Sequence, residues 1–149
     1  MRDYLSEIIS SFKEISKKQF IYNYDQDSNV RKITKSIEIV YGLRNFIGNA
    51  NKFSKNTVYI NLKSDSEITE VIIEDDGNGY PRDVLSKIGE PYLNTNYPEE
   101  KPKTGLGLGL FIGKTLLEKN FASINCRNSK TRSGAEVVVR WNNRDLFNI

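Results

Sequence analysis

Three short runs in this chain have residue types and spacings suited to handling a polyphosphate. The first is Asn45, Asn49 and Lys52, whose spacings of four and three put them on one stripe of a helix, opposite a face of Leu43, Ile47 and Ala50. An amide oxygen at Asn49 could serve a magnesium ion, which takes hard oxygen ligands and draws most of them from phosphate and water; Lys52 would meet phosphate. A stripe of this kind is more often just a solvated face. The second run is Asp75-Asp76-Gly77-Asn78-Gly79, at the end of an apolar strand. A carboxylate there can accept a hydrogen bond from an exocyclic amine such as that of adenine, and the glycines permit positive φ and close backbone approach to a flat ligand. The third is Gly105-Leu106-Gly107-Leu108-Gly109-Leu110, which opens a helix and leaves backbone N–H groups bare for phosphate.

Commoner motifs fail at these positions. Asp75 to Gly79 lacks the bidentate Glu that a calcium loop needs. A dinucleotide-binding GxGxxG would require glycine where Leu110 stands, and it should follow a strand rather than a lysine-bearing loop. Gly113-Lys114-Thr115 imitates the end of a P-loop, but its first glycine would fall on Leu108 and Gly113 lies inside the helix.

The elements that must hold these runs can be read from periodicity. Leu5, Ile8, Phe12 and Ile15 predict an amphipathic helix over Tyr4 to Lys18, and Gln19 to Asp25 alternates like a strand. A second helix is predicted from about Ile33 to Phe53, then strands at Thr57 to Lys63 and Glu70 to Glu74 around a polar turn. Pro81 is placed to open a short helix through Ile88. The stretch 90–104, with three prolines and no periodicity, reads as a long functional loop. A helix over Leu108 to Lys119 and strands at Ala122 to Asn128 and Ala135 to Trp141 complete the order. Helices alternating with antiparallel strands predict one α+β domain over 1–149, a two-layer sandwich with helices on one face of a mixed sheet. Residues 1–30 form its lead-in helix and first strand.

Composition narrows the classes. With 149 residues, 38% hydrophobic and 28% charged, the chain can build a core without staples. The net charge of +3, from 22 basic and 19 acidic residues scattered along the chain, gives no footprint for nucleic acid. No apolar run is long enough to span a bilayer, so no membrane contact is expected of this segment. The lone Cys126 fits a reducing compartment and reads as a buried structural thiol. The absence of any histidine removes His-based triads and His general bases.

Taken together and in this order, the three runs resemble the ATPase superfamily of gyrase B, Hsp90, MutL and histidine kinases, over about Ile33 to Trp141. Asn45 to Ser54 is similar to that family's N box, Asp75 to Gly79 to its first glycine box and Gly105 to Gly109 to its second. Ile88 to Tyr92 stands where histidine kinases carry an F box. The resemblance implies the Bergerat α/β sandwich, with 90–104 as the ATP lid. It also implies ATP and Mg2+ as cofactors, with Asn49 on magnesium and Asp75 on the adenine amine. Asn45 and Lys52 would face the phosphates. Gly77, Gly79, Tyr92, Lys101, Lys103, Thr104, Gly105, Leu106, Gly107, Leu108 and Gly109 would complete the nucleotide site.

Within that superfamily the resemblance points to a kinase. Hydrolytic relatives carry a Glu base four residues before the magnesium-binding Asn, where this chain has Asn45, and an acidic residue where it has Lys52. Gly89 to Thr95, the run after Gly105 and the closing Arg140-Trp141 look most like redox-responding sensor kinases of the RegB/PrrB type, which are membrane-anchored. The implied activity is γ-phosphoryl transfer to a histidine on a separate dimerisation-phosphotransfer domain, and thence to a response regulator. The module itself would be cytoplasmic and monomeric. The lid departs from that pattern, with Leu93, Asn94 and Asn96 in place of arginines and Lys101 and Lys103 as its cations. This leaves open a binding module that has lost transfer. An ATP hydrolase is disfavoured by Asn45.

Overall fold

The computed structural model describes residues 1–24, 36–87 and 106–146. Their order is α1 (Arg2–Ile15), β1 (Gln19–Tyr24), α2 (Ile37–Phe53), β2 (Thr57–Ser64), β3 (Ile68–Asp75), α3 (Arg82–Lys87), α4 (Leu106–Lys119), β4 (Ser123–Asn128), β5 (Ala135–Asn142) and α5 (Asn143–Leu146). The strands form one sheet in the order β1-β2-β3-β5-β4. β1 runs parallel to β2, because α2 carries the chain across between them, and every other pairing is antiparallel. This is the mixed sheet covered by helices that the sequence predicts.

Alternation decides which face is covered. Along β5, Ala135, Val137, Val139 and Trp141 are buried and the residues between them are not. Ile73 pairs with Ile60 on one side and Val137 on the other, so three strands present one apolar floor. Leu5 and Ile8 of α1, Ile39, Leu43, Phe46 and Ile47 of α2, and Leu110 and Leu117 of α4 lie on that floor, each no more than 1% exposed. The opposite face carries ion pairs instead, among them Arg140–Glu70 at 3.0 Å and Arg127–Glu136.

The two central helices approach closely through glycine. A Cβ on Gly42 would lie 2.6 Å from Leu117 Cγ, and one on Gly113 2.8 Å from the Phe46 ring. At the far end Ser36 caps α2, its Oγ accepting from Ile39 N–H at 3.3 Å. Trp141, fully buried, donates from its indole to the Asn120 carbonyl at 3.1 Å and so ties the end of α4 to β5.

Several predicted boundaries move. α1 spans Arg2–Ile15 rather than Tyr4 to Lys18, because Ser16 turns to an extended conformation and ends it. The Ser36 cap sets the start of α2 four residues later than expected. β3 is longer at both ends, since Asp65 Oδ1 accepts N–H bonds from Glu67 and Ile68, each at 2.7 Å, and closes the hairpin tightly. α5 was not foreseen. Its buried Asn143 accepts from Thr69 Oγ1 at 2.6 Å and donates to the Asp65 carbonyl at 2.7 Å, pinning this short helix to that hairpin. The predicted lid, 90–104, lies outside the described residues. Among the described residues no helix is long and apolar enough to cross a membrane.

Candidate nucleotide site

A cleft of about 260 Å³ opens between α2 and the sheet. Phe46, Asn49, Ala50 and Phe53 border it from α2, Ile73 and Asp75 from β3, Asn78 to Pro81 from the glycine-rich turn, and Ala135 and Val137 from β5. An apolar slot with a few convergent polar groups suits a flat heterocycle with a polar edge.

Asp75 ends β3 with 3% of its surface exposed. Its Oδ1 accepts the N–H of Gly77 at 2.8 Å and of Ala135 at 3.3 Å, which fixes the carboxylate at the cleft wall. Burial pushes its pKa up, against the opposing pull of those two N–H groups and of the Lys18 charge. A ligand that donates a hydrogen bond to Asp75 would restore part of the lost solvation.

The neighbouring acid works on the other side. Asp76 Oδ1 accepts N–H bonds from Lys55 at 2.8 Å, Asn56 at 3.1 Å and Thr57 at 3.2 Å, gathering the connection between α2 and β2. The glycines divide similarly. Among the described residues, Gly79 is the glycine with positive φ, at 79°. Gly77 is required by packing instead, since a Cβ there would lie 2.1 Å from the Phe53 carbonyl.

Asn49 sits at the edge of the buried face of α2 rather than opposite it, because Gly42 and Phe46 widen that face toward α4. Its Nδ2 is fully buried and has no hydrogen-bond partner among the described residues. An orphaned buried amide costs about 1–3 kcal/mol and calls for a ligand. The amide ends interchange by a half-turn, so either a donor or an oxygen can be offered to the cleft. Gly109 of α4 makes room for it, a Cβ there lying 3.1 Å from both amide atoms. Among the described residues no group of three His, Cys, Asp or Glu side chains could hold a metal. One neutral amide suits magnesium, which is satisfied largely by phosphate and water oxygens.

The model of the family described as histidine kinase-, DNA gyrase B-, and HSP90-like ATPase matches residues 34–145. The chain belongs to this family. Sensor histidine kinase RegB of Cereibacter sphaeroides is 36% identical over 124 residues, covering 73% of this chain and 27% of RegB. The chain thus spans about a quarter of that relative's length. The RegB-type resemblance seen in the sequence is borne out. Among solved structures, the nucleotide-free catalytic domain of histidine kinase ThkA superposes with a TM-score of 0.76 at 20% identity, covering 95% of this chain and 92% of that one. Full-length ShkA in complex with AMPPNP gives 0.72 at 20%, covering 93% and 29%. These two share the fold.

For a member of the histidine kinase, gyrase and Hsp90 ATPase family, the sequence-predicted site is partly assembled. Asn49, Asp75 and Gly79 border one cleft, Gly77 backs it and Gly109 seats Asn49. Asn45 turns away and donates to the Tyr41 carbonyl of its own helix at 2.8 Å. Lys52 is exposed, its ammonium 5.5 Å from the Phe53 ring centre. α4 begins at Leu106, two residues earlier than predicted, so Gly107, Leu108 and Gly109 are helical. Tyr92, Lys101, Lys103, Thr104 and Gly105 lie outside the described residues.

Sequence reading missed Gly134. A Cβ there would lie 2.0 Å from the Asp75 carbonyl and 2.4 Å from its Oδ1. The preceding Ser133 takes a left-handed φ of 62°, and Ser129 N–H closes the turn on Gly134 O at 2.7 Å. The Ser-Gly pair ahead of an alternating strand is a turn signal that could have flagged it. Gly134→Ala should cost roughly 1–3 kcal/mol in urea unfolding, the usual penalty of overpacking. An unchanged unfolding midpoint would refute this close approach. Cys126, expected to be buried, is only partly so, and burial pushes its thiol up to about 12.

Proposed function

We propose that this module binds Mg-ATP in the cleft and delivers the γ-phosphoryl group to a histidine on a separate dimerisation-phosphotransfer domain. The observation that carries the reading is that the buried Asn49 amide nitrogen, unpartnered among the described residues, and the buried Asp75 carboxylate border one apolar slot. Asp75 accepts the adenine amine, and Phe46, Ile73 and Val137 enclose the ring. Asn49 serves magnesium with its amide oxygen. Magnesium, when bound, neutralises phosphate charge. The first N–H groups of α4 lack intrahelical partners and add a favourable end for phosphate.

The chemistry asked of these residues is positioning and charge neutralisation. As the imidazole nitrogen attacks, a P–N bond forms while the P–O bond to ADP breaks. A hydrolase needs a base for water, yet the side chain one turn before Asn49 is the Asn45 amide. Asp75, the only acidic residue on the cleft wall among the described residues, is committed to the base end. The likeness to the sensor histidine kinase RegB, which covers 27% of that protein, supports a kinase module; a cytoplasmic location and onward transfer to a response regulator extend that reading. ShkA, solved with AMPPNP, supports nucleotide as the ligand.

Two measurements test this. Titration with AMPPNP should give micromolar-range binding that magnesium strengthens, and no binding would overturn the reading. With γ-labelled ATP and the isolated dimerisation-phosphotransfer domain of RegB, label should move to that domain with equimolar ADP. Release of free phosphate at about 1 per second or faster would indicate a hydrolase instead. Binding without transfer would favour a module that has lost catalysis, the reading motivated by a lid whose cations are Lys101 and Lys103.

A further inference from the structure

The wall of the cleft opposite α2 is irregular backbone, and what holds it is a side chain from the edge of the sheet. Tyr80 lies in no strand or helix. Both of its backbone polar groups nevertheless go to Asn128, the last residue of β4: the N–H donates to Asn128 Oδ1 at 2.6 Å, and Asn128 Nδ2 donates to the carbonyl at 3.2 Å. The same amide rests against the preceding residue. At Gly79, with φ of 79°, a Cβ would lie 2.7 Å from Asn128 Oδ1. Two residues back on the same face of β4, the partly buried Cys126 packs against the core that includes Tyr80. Gly79, Tyr80 and Pro81 all border the cleft, on the turn that begins at Asp75.

We propose that Asn128 is a positioning residue for the base end of the nucleotide site, setting the distance at which the Gly79–Pro81 wall stands from the apolar side of the slot. This rests on the cleft being a nucleotide site. An asparagine suits the task because one side chain must offer an acceptor to an N–H and a donor to a carbonyl of the same residue. Without it, the N–H and the carbonyl of Tyr80 would both lose the Asn128 amide, and a wall built on a positive-φ glycine would be free to shift. Because the wall borders the base end, the loss should be shared equally by ligands with and without phosphates.

The test is titration calorimetry of the intact chain with Mg-AMPPNP and with adenosine, comparing wild type, Asn128→Ala and Asn128→Asp. Asn128→Ala should bind both ligands about tenfold more weakly, the effect of losing two hydrogen bonds that order the site. Asn128→Asp keeps the acceptor for the shorter bond and should recover part of that loss. A variant that lost stability alone would bind undiminished while folded, which circular dichroism at the titration temperature establishes. Undiminished affinity in folded Asn128→Ala, or a loss seen with AMPPNP and not with adenosine, would overturn the proposal. If Asn128→Ala does not fold, Asn128→Asp decides: about threefold weaker binding of both ligands supports it, and wild-type affinity sinks it. A wild type that binds neither ligand overturns the nucleotide reading itself and the proposal with it.

Discussion

Asp75→Asn is expected to abolish adenine-nucleotide binding in the micromolar range while making the ligand-free protein more stable at neutral pH. The two effects have one cause. Asp75 is held almost fully out of water with its charge compensated by two backbone N–H groups. Burial raises its pKa above the ordinary 3.8, so the folded state prefers the neutral form. The stability associated with that preference is fully present below 3.8 and is lost as pH rises through the raised folded pKa. Asparagine keeps the acceptor for Gly77 N–H and carries no charge to desolvate. Its stabilising effect should therefore be seen in neutral buffer and vanish in acid below 3.8. The ligand experiences the reverse. A charged acceptor of an adenine amine is worth about 1.5–3 kcal/mol, and an amide can present a donor to that same amine, so affinity should fall roughly 100-fold or more. Urea unfolding at the two pH values and titration with AMPPNP check both halves. A variant that binds normally, or one destabilised at neutral pH, would show that Asp75 does not play this part.

Asn49→Asp should abolish phosphoryl transfer, by roughly two orders of magnitude or more, and change its magnesium dependence. The substitution is nearly isosteric, and it removes the unpartnered Nδ2, so it exchanges one unsatisfied buried group for another. What it introduces is a second carboxylate on a cleft that already holds Asp75. Charges sharing a low-dielectric slot repel each other and repel triphosphate, while an anionic ligand holds a divalent cation more tightly than an amide does. Transfer to the supplied domain, followed across a magnesium titration, should show lower maximal turnover and a shifted metal midpoint. Unchanged turnover and midpoint together would remove Asn49 from the metal site.

Both residues were readable in the sequence because their signals are local. Asp75 stands where an apolar strand meets a glycine-rich turn, and Asn49 falls within a helical period. The groups that hold them in place were less visible because they are remote in the chain. Gly134 and Ala135, at the entrance to β5, reach Asp75 across a strand pairing whose register no local pattern specifies. Asp76, adjacent to a residue with an assigned role, turned out to anchor the loop after α2. Asn45 had a role by analogy, and its amide instead bonds to its own helix. The angular reading of α2 failed for a related reason. It took Leu43, Ile47 and Ala50 as the centre of the buried face, whereas Gly42 faces α4 and shifts that centre toward Asn49. A glycine carries no hydrophobic signal, so a helix contact made through one is invisible to periodicity. The fold itself suffered little, since strand alternation and helix caps are short-range properties and the errors amounted to a few residues at element ends and the short α5.

That glycine seam also divides the molecule into parts with unequal freedom to vary. Leu117 fills the space above Gly42, the Phe46 ring covers Gly113, and the Asn49 amide occupies the room beside Gly109, so almost any substitution along the seam adds atoms where none fit. On the sheet's outer face, by contrast, charges meet in pairs at the surface, and many exchanges there are close to neutral. A lineage carrying this domain can therefore rewrite its exterior, and with it whatever the exterior touches, while the arrangement that aims Asn49 stays fixed. Divergence of partners and constancy of the ligand site would then follow from the same packing, with no separate selection needed for each.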